Sequence, residues 1–339
     1  MSDSLSLTDT NSQYPPKLPP ARNLFVGKDG LRAGWGLLLF TILMALCFKG
    51  ISILGKLSHI YPANGIAPVE VPPALVLFSE FFTFLATFLV TWLMSKLEKR
   101  PNRVYGLGPR RALPNFFAGL TWGVACLSLL VLTLWKTGLL AIDSRLLFSA
   151  GAMKYGAIWL VGFFLVGLLE EYLTRGYVLF TLTRGLASLY GWLFRTRYSR
   201  ALGFWTSALI LCTLFGLGHG KNVGESPLGM ASAGLAGLLF CFSLWRTGSL
   251  WWAIGFHTSW DWAQSFLYGV ADSGMMAQHH LLATHPLGNP LMSGGTTGPE
   301  GSIYVLPTLA LVGILLPFTV PRTPYGESTT TAQAGVRVL

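Results

Sequence analysis

Eight stretches of mostly apolar residues run along the chain, at 35–54, 74–95, 115–135, 155–181, 201–219, 227–245, 249–268 and 302–320. Each has about the twenty residues that an α-helix needs to cross a hydrocarbon layer roughly 30 Å thick. The pattern predicts an all-α polytopic membrane protein of about eight transmembrane helices. The first 34 residues are polar and contain Tyr14-Pro15-Pro16 and Pro19-Pro20, so they read as a flexible tail, and 35–54 reads as an uncleaved span. Residues 321–339 read as a second flexible tail. Segment 182–200, with Arg184, Arg195, Arg197 and Arg200, reads as an interfacial helix or loop. The expected organisation is therefore a tail (1–34), a first group of membrane helices (35–150), a polar-studded core (151–268), a Gly- and His-containing loop (269–301), a last helix (302–320) and a tail (321–339).

Composition agrees with the membrane reading. Charged residues make up 11% of the chain, against roughly 25% in a typical soluble protein. Hydrophobic residues make up 52%, and the mean hydropathy is +0.53. Soluble multidomain, disordered and disulfide-scaffold classes are excluded by the same balance. The net charge of +10 would suggest nucleic acid in a soluble protein. Here the basic residues fall in the connections, and they fall unevenly. Eighteen Lys and Arg lie on the side of the two termini and five on the other, with Lys49 inside the first span. That bias predicts cytoplasmic termini, an integral protein of the cell membrane with lipids around it, and no nucleic-acid partner. Cys47, Cys126, Cys212 and Cys241 sit in apolar runs without metal-ligand spacing and read as packing residues. Gly229, Ala233, Gly237 and Cys241 recur every four residues and read as a close-packing stripe within the bundle.

Ionisable side chains inside a membrane are costly and mark functional sites by default. They concentrate in three places: Glu170-Glu171 with Arg175, Phe215 with His219, and His257 with Asp261. Glu171 and Arg175, four residues apart, lie on one helix face and can pair. Glu170, five residues from Arg175, is turned about 140° away and is left without a local partner, as a general base requires. Asp261 lies one turn from His257 and can accept from its ring. Three such clusters on three spans predict one shared intramembrane polar site. Glu80 lacks a patterned companion and reads as facing the membrane interface. His279, His280 and His285 read as solvated loop residues rather than metal ligands.

Glu170-Glu171-x-x-x-Arg175, Phe215-x-x-x-His219 and His257-x-x-x-Asp261 resemble, in order, the three motifs of the CPBP family, which comprises type II CAAX prenyl proteases (Rce1-like) and Abi-type intramembrane proteins. The resemblance covers roughly residues 155–268. It implies an endopeptidase with an eight-helix fold, cleaving near the cytoplasmic membrane face, with a peptide or protein substrate that is lipidated in the CAAX case. It further implies that Glu170 and His219 activate water, that Glu171 and Arg175 shape the site with Phe215, and that His257 and residue 261 stabilise the oxyanion. An ionised Asp261 has no proton to donate, so its expected part is to orient His257. No cofactor is expected. A zinc protease using Glu170, His219 and His257 remains an alternative, as does a transporter or immunity protein that retains the motifs.

Overall fold

The computed structural model describes residues 24–27, 30–61, 70–109 and 111–323. The expected tails lie outside the described residues over 1–23 and 324–339. Helices dominate: α1 (Ala33–Leu57), α2 (Pro73–Leu97), α3 (Ala112–Lys136), α4 (Ser149–Glu171), α5 (Leu179–Phe194), α6 (Ser199–His219), α7 (Pro227–Thr247), α8 (Trp251–Asp261), the short α9 (Pro290–Ser293) and α10 (Val305–Thr319). A π-helical segment, Tyr172–Val178, joins α4 to α5 without a break, and a second, Trp262–Leu267, extends α8. Six helices are long and apolar enough to cross a membrane, with α4 and α5 counting as one rod of 46 residues. α8 and α10 occupy the seventh and eighth apolar runs but are shorter, at 11 and 15 residues.

The connections sort onto two faces. On one, β3 (Glu70–Val71) pairs in parallel with β5 (Met276–Ala277), and β4 (Leu140–Arg145) pairs antiparallel with β6 (Leu282–Pro286). Thr296 and Thr297 donate their hydroxyls to the Gly224 carbonyl on the same face. On the other face, a two-stranded hairpin of β1 (Val26–Gly27) and β2 (Gly30–Leu31) precedes α1. There Arg184 Nη2 donates to Leu31 O at 2.9 Å, Leu250 N to Gly106 O at 3.0 Å, and Arg246 Nε to Val320 O at 2.6 Å. The bundle thus alternates between two sets of connections, as a chain threading back and forth must.

Two large apolar clusters fill the bundle, and a third, smaller one gathers Trp159, Phe163, Phe266 and Ala277. Of the large ones, one joins α3, α7, α8 and α10 through Leu127, Phe240, Trp252, Phe256 and Val312, and the other joins α1, α2, α5, α6 and α7 through Phe40, Met94, Leu179, Phe204 and Leu244. α3 and α8 touch backbone to backbone: a Cβ on Gly119 would strike the Trp252 carbonyl, and one on Gly255 the Phe116 carbonyl. Glycine is required at both positions, and the contact fixes α8, which carries His257. Cys126, Cys212 and Cys241 are buried and all four thiols are free, as packing residues should be. The small-residue stripe of α7 packs within the chain, with Gly237 and Cys241 against Cys212 of α6.

The Gly-rich connection 269–301 is folded, while His279 and His285 remain exposed, as expected of solvated residues: His280 Nδ1 bonds Ala277 O at 2.7 Å, His285 Nδ1 lies 2.8 Å from Asp143 Oδ2, and the His279 ring stacks on Tyr155. One expectation changes. Segment 182–200 is not a separate element at the interface, because α5 runs through it to Phe194 and packs along α6. Gly203 of α6 sits against the backbone of Thr183 and Ala187 in α5. Counted from that contact, Glu170 and His219 are each about fifteen residues up their helices, or roughly 22–24 Å. The apolar boundaries alone set these two residues at different depths. The extended hairpin brings them level, and Gly216 and Gly218 leave α6 unbroken to His219.

Candidate active site

A cavity of about 500 Å³ opens among α2, α4, α6, α7, α8 and α10. Glu170, Phe215, His219, His257 and Asp261 all line it, so the three polar clusters expected from sequence converge on one space. Each arrives by a different route. Glu170 comes from the last turn of α4, just before the π-helical segment, and Asp261 from the last residue of α8, just before the second one. π-helical turns inside α-helices are frequent at functional sites. His219 ends α6.

Glu171 and Arg175 lie behind the cavity wall. Their pairing follows the four-residue spacing, with Arg175 Nη1 donating to Glu171 Oε1 at 2.6 Å and both residues almost fully buried. The guanidinium lies 4.9 Å from the Phe215 ring centre and 5.3 Å from that of Phe240, and its Nε donates to Gly237 O at 3.3 Å. Stacked between two rings, Arg175 is neutralised by one carboxylate and held in one geometry. Phe215 thus covers the guanidinium of this pair.

The orienting bond to His257 comes from Glu171, not from Asp261. Glu171 Oε1 lies 3.1 Å from His257 Nδ1. The other ring nitrogen, Nε2, faces the cavity between Glu170 Oε2 at 3.6 Å and Asp261 Oδ2 at 3.5 Å. An Nε2–H in this position faces acceptor oxygens on both sides. Phe240 stacks on the His257 ring and fixes its plane. At His219, Nδ1 lies 2.8 Å from Phe215 O. A carbonyl can only accept, so Nδ1 carries the hydrogen and donates it.

Three further acids line the cavity and were not singled out as site residues. Glu80 of α2 faces the cavity rather than the membrane interface, with Ser79 donating to it at 3.1 Å. Its signal was present in the sequence, as a carboxylate inside an apolar run. Asp272 and Glu300 come from the connection between α8 and α10, where nothing in a Gly-rich stretch announced them. Ser265 donates to Asp272 at 3.1 Å, and Ser273 donates both its backbone N–H and its hydroxyl to Glu300. Burial pushes the Asp272 carboxyl well up, with the neighbouring Asp261 and Glu300 adding to the rise. Burial also raises Glu300, against the lowering effect of the two Ser273 bonds. Among the described residues no three His, Cys, Asp or Glu side chains are grouped to hold a metal ion.

Residues 152–263 match a family model, and the match spans all three polar motifs. That family is the type II CAAX prenyl endopeptidase, Rce1-like. The matched segment holds α4 to α8 and so supplies most of the cavity wall, whereas Glu80, Asp272 and Glu300 lie outside it. No curated protein and no solved structure matches the chain. The chain is an integral membrane protein with a CAAX-protease-like domain, a class that acts on peptide or protein substrates.

Proposed function

We propose that this protein is an intramembrane endopeptidase of the glutamate type, in which Glu170 and His219 activate the hydrolytic water. The observation that carries the reading is the convergence of Glu170, His219 and His257 from three helices on one cavity inside the matched domain. Glu170 is the carboxylate that Arg175 does not neutralise, and His219, with its Nδ1 held by Phe215 O, has Nε2 left for the water. Glu170 takes the water proton as the hydroxide attacks the scissile carbonyl, and later returns it to the leaving amine. The tetrahedral oxyanion is met by N–H from His257 Nε2, whose other nitrogen is fixed by Glu171. Asp261 Oδ2 lies 3.5 Å from the same nitrogen and is placed to accept from it when no oxyanion is present.

The chain is taken to cross the membrane eight times, with the two shorter helices crossing as well. Cytoplasmic termini agree with the Lys and Arg asymmetry. Cleavage near the cytoplasmic face would need the opposite orientation, because the cavity lies toward the connections that face away from the termini. The zinc reading draws no support from the ligand grouping. The deciding experiment compares membrane peptides by mass spectrometry in cells carrying wild-type protein or Glu170→Gln. Products that vanish with Glu170→Gln, at equal protein level, support the reading. Identical peptide profiles would sink it.

A further inference from the structure

The cavity has a side. α4 and α7 line it along their middle stretches, but the others do so near one end: α2 with Val76 and Glu80 in its first turns, α6 with Leu214 to His219 in its last two, and α10 with Val305 and Leu309 in its first two. The remaining wall comes from Val71, Asn222, Met275 and Glu300, all in connections of that same face. Among the described residues, none in the α2–α3, α5–α6 or α7–α8 connections of the opposite face lines it.

That opposite face is the basic one. It carries Arg100, Arg103, Arg195, Arg197 and Arg246 among the seventeen Lys and Arg that the sequence puts on its side once Arg175, buried behind the cavity wall, is set aside, against five on the cavity side. Short connections rich in Lys and Arg stay in the cytoplasm. The structure makes this count firmer, because hydrogen bonds tie the connections of each face to one another, so a single slipped span cannot invert one of them alone.

We propose that the cavity opens to the non-cytoplasmic side and takes its peptide there. The substrate class is then an extended segment of an exported or membrane-anchored chain at the outer leaflet, not a lipidated tail on the cytoplasmic leaflet. The word peptide rests on the endopeptidase reading, whereas the sidedness rests on geometry and charge alone.

The test places single cysteines in a background without the native four. Met275→Cys sits at the cavity wall and is exposed, and Tyr198→Cys is exposed on the opposite face. A membrane-impermeant sulfonated maleimide is added to intact cells. Met275→Cys is expected to label at once, and Tyr198→Cys only after permeabilisation. The reverse pattern, or equal labelling of both before permeabilisation, overturns the proposal. If the cysteine-free background fails to fold, an epitope tag added before residue 1 of the wild-type chain answers the same question. Survival of the tag under external protease supports the proposal, and its removal from intact cells overturns it. A quenched-fluorescent peptide library, assayed in detergent against Glu170→Gln, separates the two ideas. Labelling as expected with no Glu170-dependent cleavage in detergent would leave the sidedness standing and remove the peptidase.

Discussion

Glu171 Oε1 is shared: Arg175 Nη1 reaches it at 2.6 Å and His257 Nδ1 at 3.1 Å. One fully buried carboxylate oxygen therefore couples α4, the π-helical segment after it, and α8. Glu171→Gln would leave Arg175 buried without its counter-charge, a loss of about 3–5 kcal/mol for a buried pair broken from one side. Thermal unfolding in detergent should show a large drop. Glu170→Gln, at the half-exposed partner, should unfold near the wild-type temperature while turnover falls by at least ~10²-fold. Near-normal turnover in Glu170→Gln, with activity lost and stability kept in Glu171→Gln, would mean that the two roles are exchanged.

Gly255→Leu tests whether the α3–α8 contact positions His257. Its Cβ would meet the Phe116 carbonyl directly, so the helices must separate. Overpacking of this kind costs about 1–3 kcal/mol. The expected outcome is a lower unfolding temperature together with a fall in turnover larger than for an apolar substitution of equal size on a lipid-facing position such as Leu129.

Much of this site was legible before the fold was known. The three polar clusters stood out because apolar runs make every carboxylate and imidazole conspicuous, and the four-residue spacing of Glu171 and Arg175 carried their pairing. The partner of His257 was not legible. Local spacing favoured Asp261, one turn away, but the bond to Nδ1 comes from Glu171, 86 residues earlier, through a helix contact that no periodicity encodes. Glu80 was visible but had no companion in its own run. Asp272 and Glu300 were hidden because a connection rich in glycine gives no sign that it folds back over a cavity. The equal depth of Glu170 and His219 required a helix that continues into a segment containing four arginines, where hydropathy alone ends the span.

Asp272 and Glu300 give a pH signature. Both carboxyls are raised in the folded protein, so the fold holds their protons more tightly than the unfolded chain does. The stabilisation is complete below the ordinary carboxylate range, about pH 4. It is lost as pH rises through the raised folded values. Unfolding temperature should fall with rising pH over that window, and Asp272→Asn should flatten the slope. A slope unchanged by Asp272→Asn would show that this carboxyl is not the one being titrated.

Metal content separates the glutamate mechanism from the zinc alternative. Purified protein should contain well under one zinc per chain, and prolonged chelation in detergent should leave turnover intact. Stoichiometric zinc, lost and regained together with activity, would recast Glu170 as a metal ligand or as the base beside a metal-bound water.

The π-helical segment between α4 and α5 sets the phase of one continuous rod. An α-helix turns 100° per residue, following from 3.6 residues per turn. Deleting one residue from Tyr172–Val178 would rotate everything beyond it by about that angle. Thr183 and Ala187 would then swing away from Gly203, and the paired climb of α5 and α6 that sets His219 opposite Glu170 would be lost. The rod thus carries two faces that are timed against each other, one for chemistry above the segment and one for packing below it.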